Sequence, residues 1–260
     1  MGIINVTPDS FYDGGRNNSI ETALTHVRKH LEEGAKVIDI GGYSSRPGAD
    51  EVTEQEELNR TIPVIEAILI AFPDTIISID TFRSNVAKKA IEAGAAIIND
   101  ISAGDLDENM FSVVAEKQVP YILMHMQGTP ETMQKNPNYK NIIQEITYYF
   151  SERINALRKK GVIDIIIDPG FGFGKTLEHN YEILGKLNKF QLLNAPILVG
   201  ISRKSMIYKL LKVSTQESLN GTIAANIIAL QNGATILRVH DVKEAAECAK
   251  LDNKTSMRKN

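Results

Sequence analysis

The sequence contains one cysteine, Cys248, and no tryptophan among its 260 residues. A lone cysteine cannot form an intrachain disulfide, which excludes the small disulfide-stapled domains of secreted proteins. No run of about 18 apolar residues is present, so we predict no transmembrane helix. The amino-terminal residues MGIINVTPDS lack the basic and apolar segments of a secretion signal. We therefore expect a cytoplasmic protein that does not act at a membrane.

The sequence also has few clusters of basic residues. Its net charge is −3, and the one concentrated group of lysine and arginine lies at the carboxyl terminus. Lys254, Arg258 and Lys259 in that group are interpreted as a solvated tail, so nucleic acid is not an expected partner. Hydrophobic residues make up 43% of the chain, and no composition break marks a linker. This predicts a single domain over residues 1–260.

The stretch DPGFGFGKT at 168–176 looks like a phosphate-binding loop, but it matches neither of the two common phosphate-binding motifs. A P-loop requires glycine at the position of Pro169, and proline has no N–H to donate to a phosphate. A dinucleotide fingerprint that starts at Gly170 requires glycine at the position of Lys175. Both nucleotide-binding interpretations are therefore excluded for this loop.

What the sequence does contain is a short Ile/Val/Leu-rich run that recurs eight times. Each run is too short for a helix and apolar on both alternating faces, as expected for a strand buried on both sides. The runs are 2–5, 37–41, 75–80, 96–100, 121–125, 164–168, 197–200 and 235–239.

Amphipathic segments lie between these runs and predict helices. One opens with Thr53 and has Glu56 three residues later, which is a capping-box pattern. Four end in a glycine shortly before the next strand, as is typical of a helix stop: Gly34, Gly94, Gly161 and Gly233. Eight strands alternating with helices predict an α/β fold of the TIM (β/α)8 barrel type; a doubly wound open sheet is the alternative.

Polar residues follow every predicted strand, at the end of a barrel where active sites form. Any one of them could cap a helix, but lysine and arginine are not needed for that purpose. The Asp168 carboxylate suits a ligand edge with two parallel N–H groups, while Asn99 and Lys204 suit the remaining edges of a heterocycle. Glycines after Asp168 would let the backbone lie against a planar ligand, with Phe171 or Phe173 packed on it.

The other half of the predicted mouth carries donors and cations, which favour an anion such as phosphate or pyrophosphate. The residues concerned are Asn5, Arg46, Arg203, Arg238 and His240. Asp39, before the glycine pair of the second strand, is interpreted equally as structural or functional. His125 lies between Met124 and Met126, and packing is a better interpretation than metal binding because no partner ligands are evident.

Seven motifs together give the chain a family resemblance over residues 1 to about 245. They are GIINVTPDSFYDGG, DIGGYSSRPG, ISIDTF, AAIINDISAG, DIIIDPGFGFGK, VGISRKS and ILRVHDV. In order and spacing they resemble the dihydropteroate synthases, which have a (β/α)8 barrel. The resemblance implies a transferase of folate biosynthesis that joins p-aminobenzoate to the pyrophosphate ester of 6-hydroxymethyl-7,8-dihydropterin. It also implies competition by sulfonamides, a Mg2+ cofactor and a homodimer.

The resemblance also implies roles for individual residues. Asp80, Asn99, Asp168 and Lys204 would hold the pterin ring, and Met124 and Phe173 would line its slot. Asn5, Arg238 and His240 would hold pyrophosphate and Mg2+, with Asn5 as the metal ligand. Residues of the first two loops would close over the anion and shape the aminobenzoate pocket: Phe11, Asp13, Ser45, Arg46 and Pro47. Ser205, at the start of a helix, would meet the benzoate carboxylate.

The chain departs from the family motif at Tyr43, which replaces an acidic residue, and at Ser45, which replaces threonine. A related pterin-binding methyltransferase domain is one alternative, but it would lack Lys204 and the Arg-x-His pair of the eighth strand. A non-catalytic pterin-binding paralogue is another, and it would tend to lose the residues of the anion site. The residues required for synthesis are present, so we expect an enzyme with Asp80, Lys204, Arg238, Asp13 and Arg46 as its catalytic residues.

Overall fold

Eight short parallel strands alternate with helices along the chain. The computed structural model describes residues 1–6, 15–43, 52–129, 132–133 and 137–255. The strands are β1 (Gly2–Asn5), β2 (Val37–Gly41), β3 (Ile76–Asp80), β4 (Ile97–Asp100), β5 (Tyr121–Met124), β6 (Ile165–Asp168), β7 (Leu198–Val199) and β8 (Ile236–Leu237). All eight predicted strands are present, and the last two are shorter than predicted.

The strands close into a ring. β1 to β6 form one parallel sheet in sequence order, and β7 pairs with β8. Two parallel bridges join these sheets: Ile167 of β6 pairs with Ile197 before β7, and Gly2 of β1 pairs with Val239 after β8. At the second junction the Ile3 N–H donates to the Val239 carbonyl at 3.0 Å. The fold is therefore the predicted (β/α)8 barrel and not the open sheet.

Nine α-helices surround the ring in the described part of the chain. They are α1 (Gly15–Glu32), α2 (Glu54–Ala71), α3 (Ser84–Glu92), α4 (Met110–Lys117), α5 (Ile142–Lys159), α6 (Leu177–Gly185), α7 (Ser205–Leu211), α8 (Leu219–Gln231) and α9 (Val242–Thr255). Short 3-10 helices cover Leu187–Leu193 and Gln216–Ser218. None of the described helices is long and apolar enough to span a bilayer.

Local sequence signals explain several helix boundaries. Thr53 caps α2 by accepting the Glu56 N–H at 3.2 Å, which is one half of the predicted capping box, while the Glu56 side chain accepts from Arg60 instead. The four predicted stop glycines all have positive φ, between 83° and 108°. Helices α4 and α6 are absent from the prediction because two turns carry little periodicity. Helix α9 is absent too, although its buried Val242, Ala245 and Cys248 are at helical spacing.

The strands hold the core because both of their faces are covered. Ile38, Ile40, Ile77, Ile79 and Ile98 are fully buried, as predicted for strands between a barrel interior and a helical layer. Burying each such side chain contributes about 1.5–3 kcal/mol, and truncation to alanine would cost about 2–5 kcal/mol. This apolar ring fixes the positions of the polar residues at its carboxyl end.

Candidate active site

Three residues predicted for the site, Asp80, Asn99 and Asp168, lie at or next to the carboxyl ends of β3, β4 and β6, at the same rim. Asp80 is the last residue of β3 and pairs in register with Asn99 of β4. Asp168 is the last residue of β6 and pairs with Met124 of β5. Side chains at one register level of parallel strands point to the same side, so Asp80 and Asn99 lie next to each other. The strand ends thus bring these predicted residues together.

Arg238 directly follows β8, and its side chain forms hydrogen bonds with residues of β2 and β3. Its Nε donates to Asp39 Oδ2 and its Nη2 donates to Asp80 Oδ2, both at 2.6 Å. Asn99 Nδ2 donates to the same Asp39 oxygen at 3.2 Å. Asp39 is fully buried, and its Oδ1 has no hydrogen-bond partner among the described residues. Asp39 therefore orients both an arginine and an amide of the site.

Burial shapes the charges of this group. It raises the pKa of Asp80 to about 7, an effect that Arg238 opposes and Asp39 reinforces. Burial works against the charge of Arg238, but Asp39 and Asp80 hold the pKa of this guanidinium above its usual value. One arginine thus serves two carboxylates, and Asp80 gains or loses a proton near neutral pH.

Asp168 and Lys204 form the second charged group. Asp168 Oδ1 accepts the Gly170 N–H at 2.8 Å, and burial raises the pKa of this carboxyl against the opposing charge of Lys204. Lys204 Nζ donates to the Phe171 carbonyl at 2.5 Å and lies 4.6 Å from the centroid of the Phe173 ring. Burial lowers the pKa of Lys204 to about 8, and Asp168 limits that fall.

The glycine loop after β6 has a requirement that the sequence did not show. Two of its glycines contact the neighbouring loop at distances that leave no room for a side chain. A Cβ on Gly170 would lie 2.0 Å from the His125 carbonyl oxygen, and one on Gly174 would lie 2.6 Å from the Gln127 carbonyl oxygen. Both glycines also have positive φ. The loop therefore packs directly on the backbone that follows β5.

The structure separates the two phenylalanines that the sequence left as alternatives. Phe171 is fully buried in the main core. Phe173 packs instead on a small apolar group at the barrel mouth, which we call the slot wall. The slot wall consists of Phe82, Ile101, Met124, Met126, Met133 and Phe173. Met124 and Phe173, both predicted to line the pterin slot, belong to it.

The predicted anion side is more open. Asn5 is partly exposed, and its Oδ1 lies 3.7 Å from the position that a Cβ on Gly41 would take. His240 is exposed, and its backbone N–H donates to Ser202 Oγ at 3.3 Å. Ser205 begins α7 as predicted. Other predicted residues lie outside the described part of the chain: Phe11, Asp13, Ser45, Arg46 and Pro47.

Arg203, which the sequence placed on the anion side, has its guanidinium nitrogens engaged within the chain. Its Nε and Nη2 form a two-pronged pair with Asp241 at 2.8 and 2.9 Å. Its Nη1 donates to the carbonyls of Thr215 and Gln216. Its donors are therefore directed at two carbonyls between α7 and α8 and at Asp241, which directly precedes α9. The sequence signal was available, since Asp241 follows the Arg-x-His pair directly.

Tyr43, the departure from the family motif, packs against the loop after β3. Its ring is perpendicular to that of Phe82 at 5.1 Å, and Arg83 Cζ lies 5.5 Å from its centroid. Arg83 also donates to Glu57 Oε2 at 2.5 Å and to the Val52 carbonyl at 2.6 Å. An aromatic ring over a guanidinium thus occupies a place where the family motif has a carboxylate.

Two further residues were given no role by sequence reasoning. Lys175 is buried with its Nζ 3.0 Å from His125 Nδ1. The sequence placed Lys175 only as a failed glycine position and His125 only as packing. Among the described residues, no group of three or more His, Cys, Asp or Glu side chains is arranged to hold a metal ion.

Comparison with known proteins matches this geometry to one family. Residues 1–240 match the model of the pterin binding enzymes. The dihydropteroate synthase of Escherichia coli strain K12 is 47% identical over 253 residues, which are 96% of this chain and 89% of that protein.

Solved structures agree with that comparison. Yersinia pestis dihydropteroate synthase in a sulfonamide complex has a TM-score of 0.92 and 44% identity, and covers 99% of this chain and 93% of its own. Xanthomonas albilineans dihydropteroate synthase with 4-aminobenzoic acid has a TM-score of 0.91 and 39% identity, covering 98% and 92%. The chain therefore belongs to the pterin binding enzymes and, within them, to the dihydropteroate synthases, which are transferases of folate biosynthesis.

Proposed function

We propose that this chain joins p-aminobenzoate to the pyrophosphate ester of 6-hydroxymethyl-7,8-dihydropterin and releases pyrophosphate. The observation that carries the proposal is the convergence of Asp80, Asn99, Asp168, Lys204 and Arg238 at one end of the barrel. The X. albilineans relative, solved with 4-aminobenzoic acid, supports the second substrate. The Y. pestis relative supports sulfonamides as competitors for it.

The pterin would lie between the slot wall and the charged rim. Asp168 would accept from the amino and N3 edge, using Oδ2 and the remaining lone pair of Oδ1. The Asn99 Nδ2 donates to Asp39, which leaves the amide oxygen as the Asn99 group that would accept from the ring. Lys204 donates to a ring carbonyl or nitrogen. Phe173 and Met124 would contact the ring faces.

Substitution at the pterin methylene would begin with early loss of the leaving group. The C–O bond breaks, its electron pair departs with pyrophosphate, and the electron-rich dihydropterin carries the positive charge. Asp80 favours that charge when ionised. The neutral aniline nitrogen of p-aminobenzoate then forms the C–N bond and releases its proton. Such a nucleophile needs no strong general base.

Arg238 and His240 would stabilise the departing anion. Two of the guanidinium nitrogens of Arg238 already donate to Asp39 and Asp80, so Nη1 is the nitrogen available for a phosphate oxygen. Ser205, where α7 begins, would meet the benzoate carboxylate. For the first two loops we propose the roles that the resemblance implies. Their residues lie outside the described part of the chain: Phe11, Asp13, Ser45, Arg46 and Pro47.

Mg2+ fits the donors that are present. Asn5 Oδ1 is a hard oxygen ligand, and Gly41 leaves the space beside it free of a side chain. Mg2+ commonly takes one or two protein oxygens together with substrate phosphates and water, which agrees with a site that has few protein ligands. When bound, the ion would neutralise charge on the pyrophosphate. Asn5 would hold the ion where that charge develops.

We also propose a homodimer, supported by apolar side chains on three adjacent helices. Leu210 and Leu211 on α7, Ile228 on α8 and Leu251 on α9 are each between 43% and 63% exposed. Covering them in a symmetric contact would remove apolar surface from water. Sedimentation of the protein and of an Ile228→Glu variant tests this. A dimer that persists in the variant would contradict the assignment of the face.

Pyrophosphate release tests the reaction itself. We expect net release to require the pterin pyrophosphate, p-aminobenzoate and Mg2+ together, because without the amine the pterin cation recombines with the pyrophosphate that has just left it. A coupled phosphate assay follows it, with each substrate omitted in turn as the control. Release at a similar rate without p-aminobenzoate would indicate a hydrolase instead.

A further inference from the structure

Lys175, at the end of the glycine loop, is a buried lysine that the proposed reaction does not use. Only 4% of its surface is exposed, and no ion pair forms on it within the described residues. Its Nζ contacts His125 Nδ1 at 3.0 Å and donates to the His125 carbonyl at 3.1 Å and the Phe173 carbonyl at 2.9 Å. As an ammonium, Lys175 has one N–H for each of these three acceptors.

These contacts join the two loops that carry the pterin-facing residues. His125 follows Met124 of the slot wall, and its N–H donates to the Asp168 carbonyl at 3.0 Å. Phe173, which also belongs to the slot wall, lies on the glycine loop. Lys175 therefore bonds to the backbone beside Met124 on one side and to the backbone of Phe173 on the other.

His125 is shaped to accept this contact. Its ring packs edge-on against Tyr149 at 4.9 Å. Burial, with the nearby charge of Lys175, lowers the pKa of His125 to about 2, so the imidazole stays neutral. With the proton on Nε2, Nδ1 is free to accept from Lys175. The sequence Met124–His125–Met126 thus has a use that is neither metal binding nor packing alone.

Lys175 also contributes to the charge balance of Asp168. The cations that face Asp168 are Lys204 of the loop before α7, Arg238 after β8 and Lys175, and the Gly170 N–H adds a hydrogen bond. All of these work against the rise that burial imposes on the pKa of Asp168. Burial lowers the pKa of Lys175 well below its usual value, and the facing carboxylate of Asp168 opposes that fall.

We propose that Lys175 is a positioning residue for the pterin: its three hydrogen bonds fix the spacing of the two loops that form the slot. The inference rests on the proposed function, because it assigns the slot to a pterin. It makes Lys175 part of substrate binding without contact to the substrate.

Two substitutions separate the hydrogen bonds from the charge. Lys175→Met keeps the length of the side chain and removes both, while Lys175→Gln removes the charge and keeps two N–H donors. His125→Phe removes one acceptor and keeps a ring for the contact with Tyr149. Lys189→Met, at an exposed lysine of the 3-10 helix Leu187–Leu193, is the matched control.

Binding of 6-hydroxymethyl-dihydropterin pyrophosphate is measured by calorimetry between about pH 5 and pH 8, with steady-state kinetics and thermal melting. We expect Lys175→Met to weaken binding about tenfold, as for loss of a charged hydrogen-bonding group, and Lys175→Gln to weaken it about threefold. KM for the pterin should rise more than kcat falls, and KM for p-aminobenzoate should stay the same.

The acid limb of the pH–affinity curve, where pterin binding is lost as pH falls, gives a further test. A purely structural role of Lys175 would leave the pH of this limb unchanged. Without the positive charge the pKa of Asp168 rises, so binding should be lost at a higher pH in both Lys175 variants. His125→Phe retains the charge and should weaken binding without moving that limb. If Lys175→Met does not fold, Lys175→Gln and His125→Phe carry the same comparison.

Wild-type pterin affinity together with an unmoved acid limb in a folded Lys175→Gln variant would overturn the proposal. A fall in kcat alone, with unchanged pterin affinity, would also overturn it in favour of a structural role. Failure of the wild-type protein to bind the pterin pyrophosphate would instead contradict the proposed function, so the two failures are distinguishable.

Discussion

The two halves of the barrel mouth differ in how far their polar side chains are exposed to solvent. On the pterin side, Asp168, Asn99 and Lys204 each have a hydrogen-bond partner within the chain. On the anion side, Asn5 and His240 are more open to solvent. A rigid strand barrel can recognise a flat heterocycle by groups that are already in position before the ligand binds. An anion that must depart is better served by groups that water can reach.

Arg238 belongs to both halves, so its removal should have the largest effect. Arg238→Met leaves Asp39 and Asp80 without their shared cation and takes a donor from the leaving group. We expect kcat/KM to fall by about 100-fold to 1,000-fold, the range for loss of one electrostatic group at a reacting centre. Steady-state kinetics at saturating Mg2+ measure it. A fall of less than tenfold would separate Arg238 from the chemistry and leave it as a scaffold.

Asp168→Asn tests the pterin side alone. The amide keeps one acceptor oxygen and places a donor where the pterin presents N–H groups. We expect the Kd for the pterin to rise by about 30-fold to 100-fold, as for loss of a charge-assisted hydrogen bond with a partner left unsatisfied. Calorimetry measures it, with Asp164→Asn, an exposed carboxylate at the start of the same strand segment, as the control. Normal binding by Asp168→Asn would move the pterin to another part of the mouth.

The pH dependence of kcat tests the electrostatic link between the halves. Because Asp80 favours the developing cation only when ionised, and its pKa is about 7, kcat should rise as pH increases through that value. Asp39 raises the pKa of Asp80 through charge repulsion, so Asp39→Asn should shift this rise to lower pH. A pH–rate profile of both proteins measures it. An unchanged profile in Asp39→Asn would show that another group titrates.

The same ionisation should appear in stability. Folding raises the pKa of Asp80 above its ordinary value of 3.8, so its contribution to stability is complete below that value and is lost as pH rises through about 7. Over this window, the melting temperature of the wild-type protein should fall relative to that of Asp80→Asn. Thermal melts at pH 5 and 8 measure the difference. A constant difference would mean that Asp80 is already ionised at the lower pH.

Arg203→Met should have the smallest effect on activity. The guanidinium is already engaged by Asp241 and by two backbone carbonyls, so loss of these bonds should lower the free energy of unfolding by about 1–2 kcal/mol and leave kcat/KM within about twofold. Chemical denaturation and kinetics, beside Arg238→Met, measure the contrast. A large loss of activity in a stable Arg203→Met protein would place Arg203 on the anion side.

Much of this arrangement follows from local pattern. The apolar runs predicted the strands, and the residues that end them predicted the rim, because parallel strands in register bring their ends together. The stop glycines were equally readable, since a left-handed residue at a helix end is a local requirement. The roles proposed for the rim residues stay predictions, most of all for those outside the described ranges.

Sequence reasoning could not find the partners that lie far away in the chain. The close neighbours of Gly170 and Gly174 are carbonyls about 45 residues away, which only the packed barrel brings near. The partner of Arg203, Asp241, lies 38 residues later. The Arg238–Asp39 pair spans 199 residues, and no local period encodes it.

That last separation has a consequence for synthesis of the protein in the cell. The ring is closed by Gly2 and Val239, and the arginine shared by two carboxylates comes from the last strand. A nascent chain can build most of the parallel sheet during translation, but its pocket stays chemically incomplete until residue 238 has left the ribosome. A premature stop before that point would yield a polypeptide with most of the barrel and no working centre.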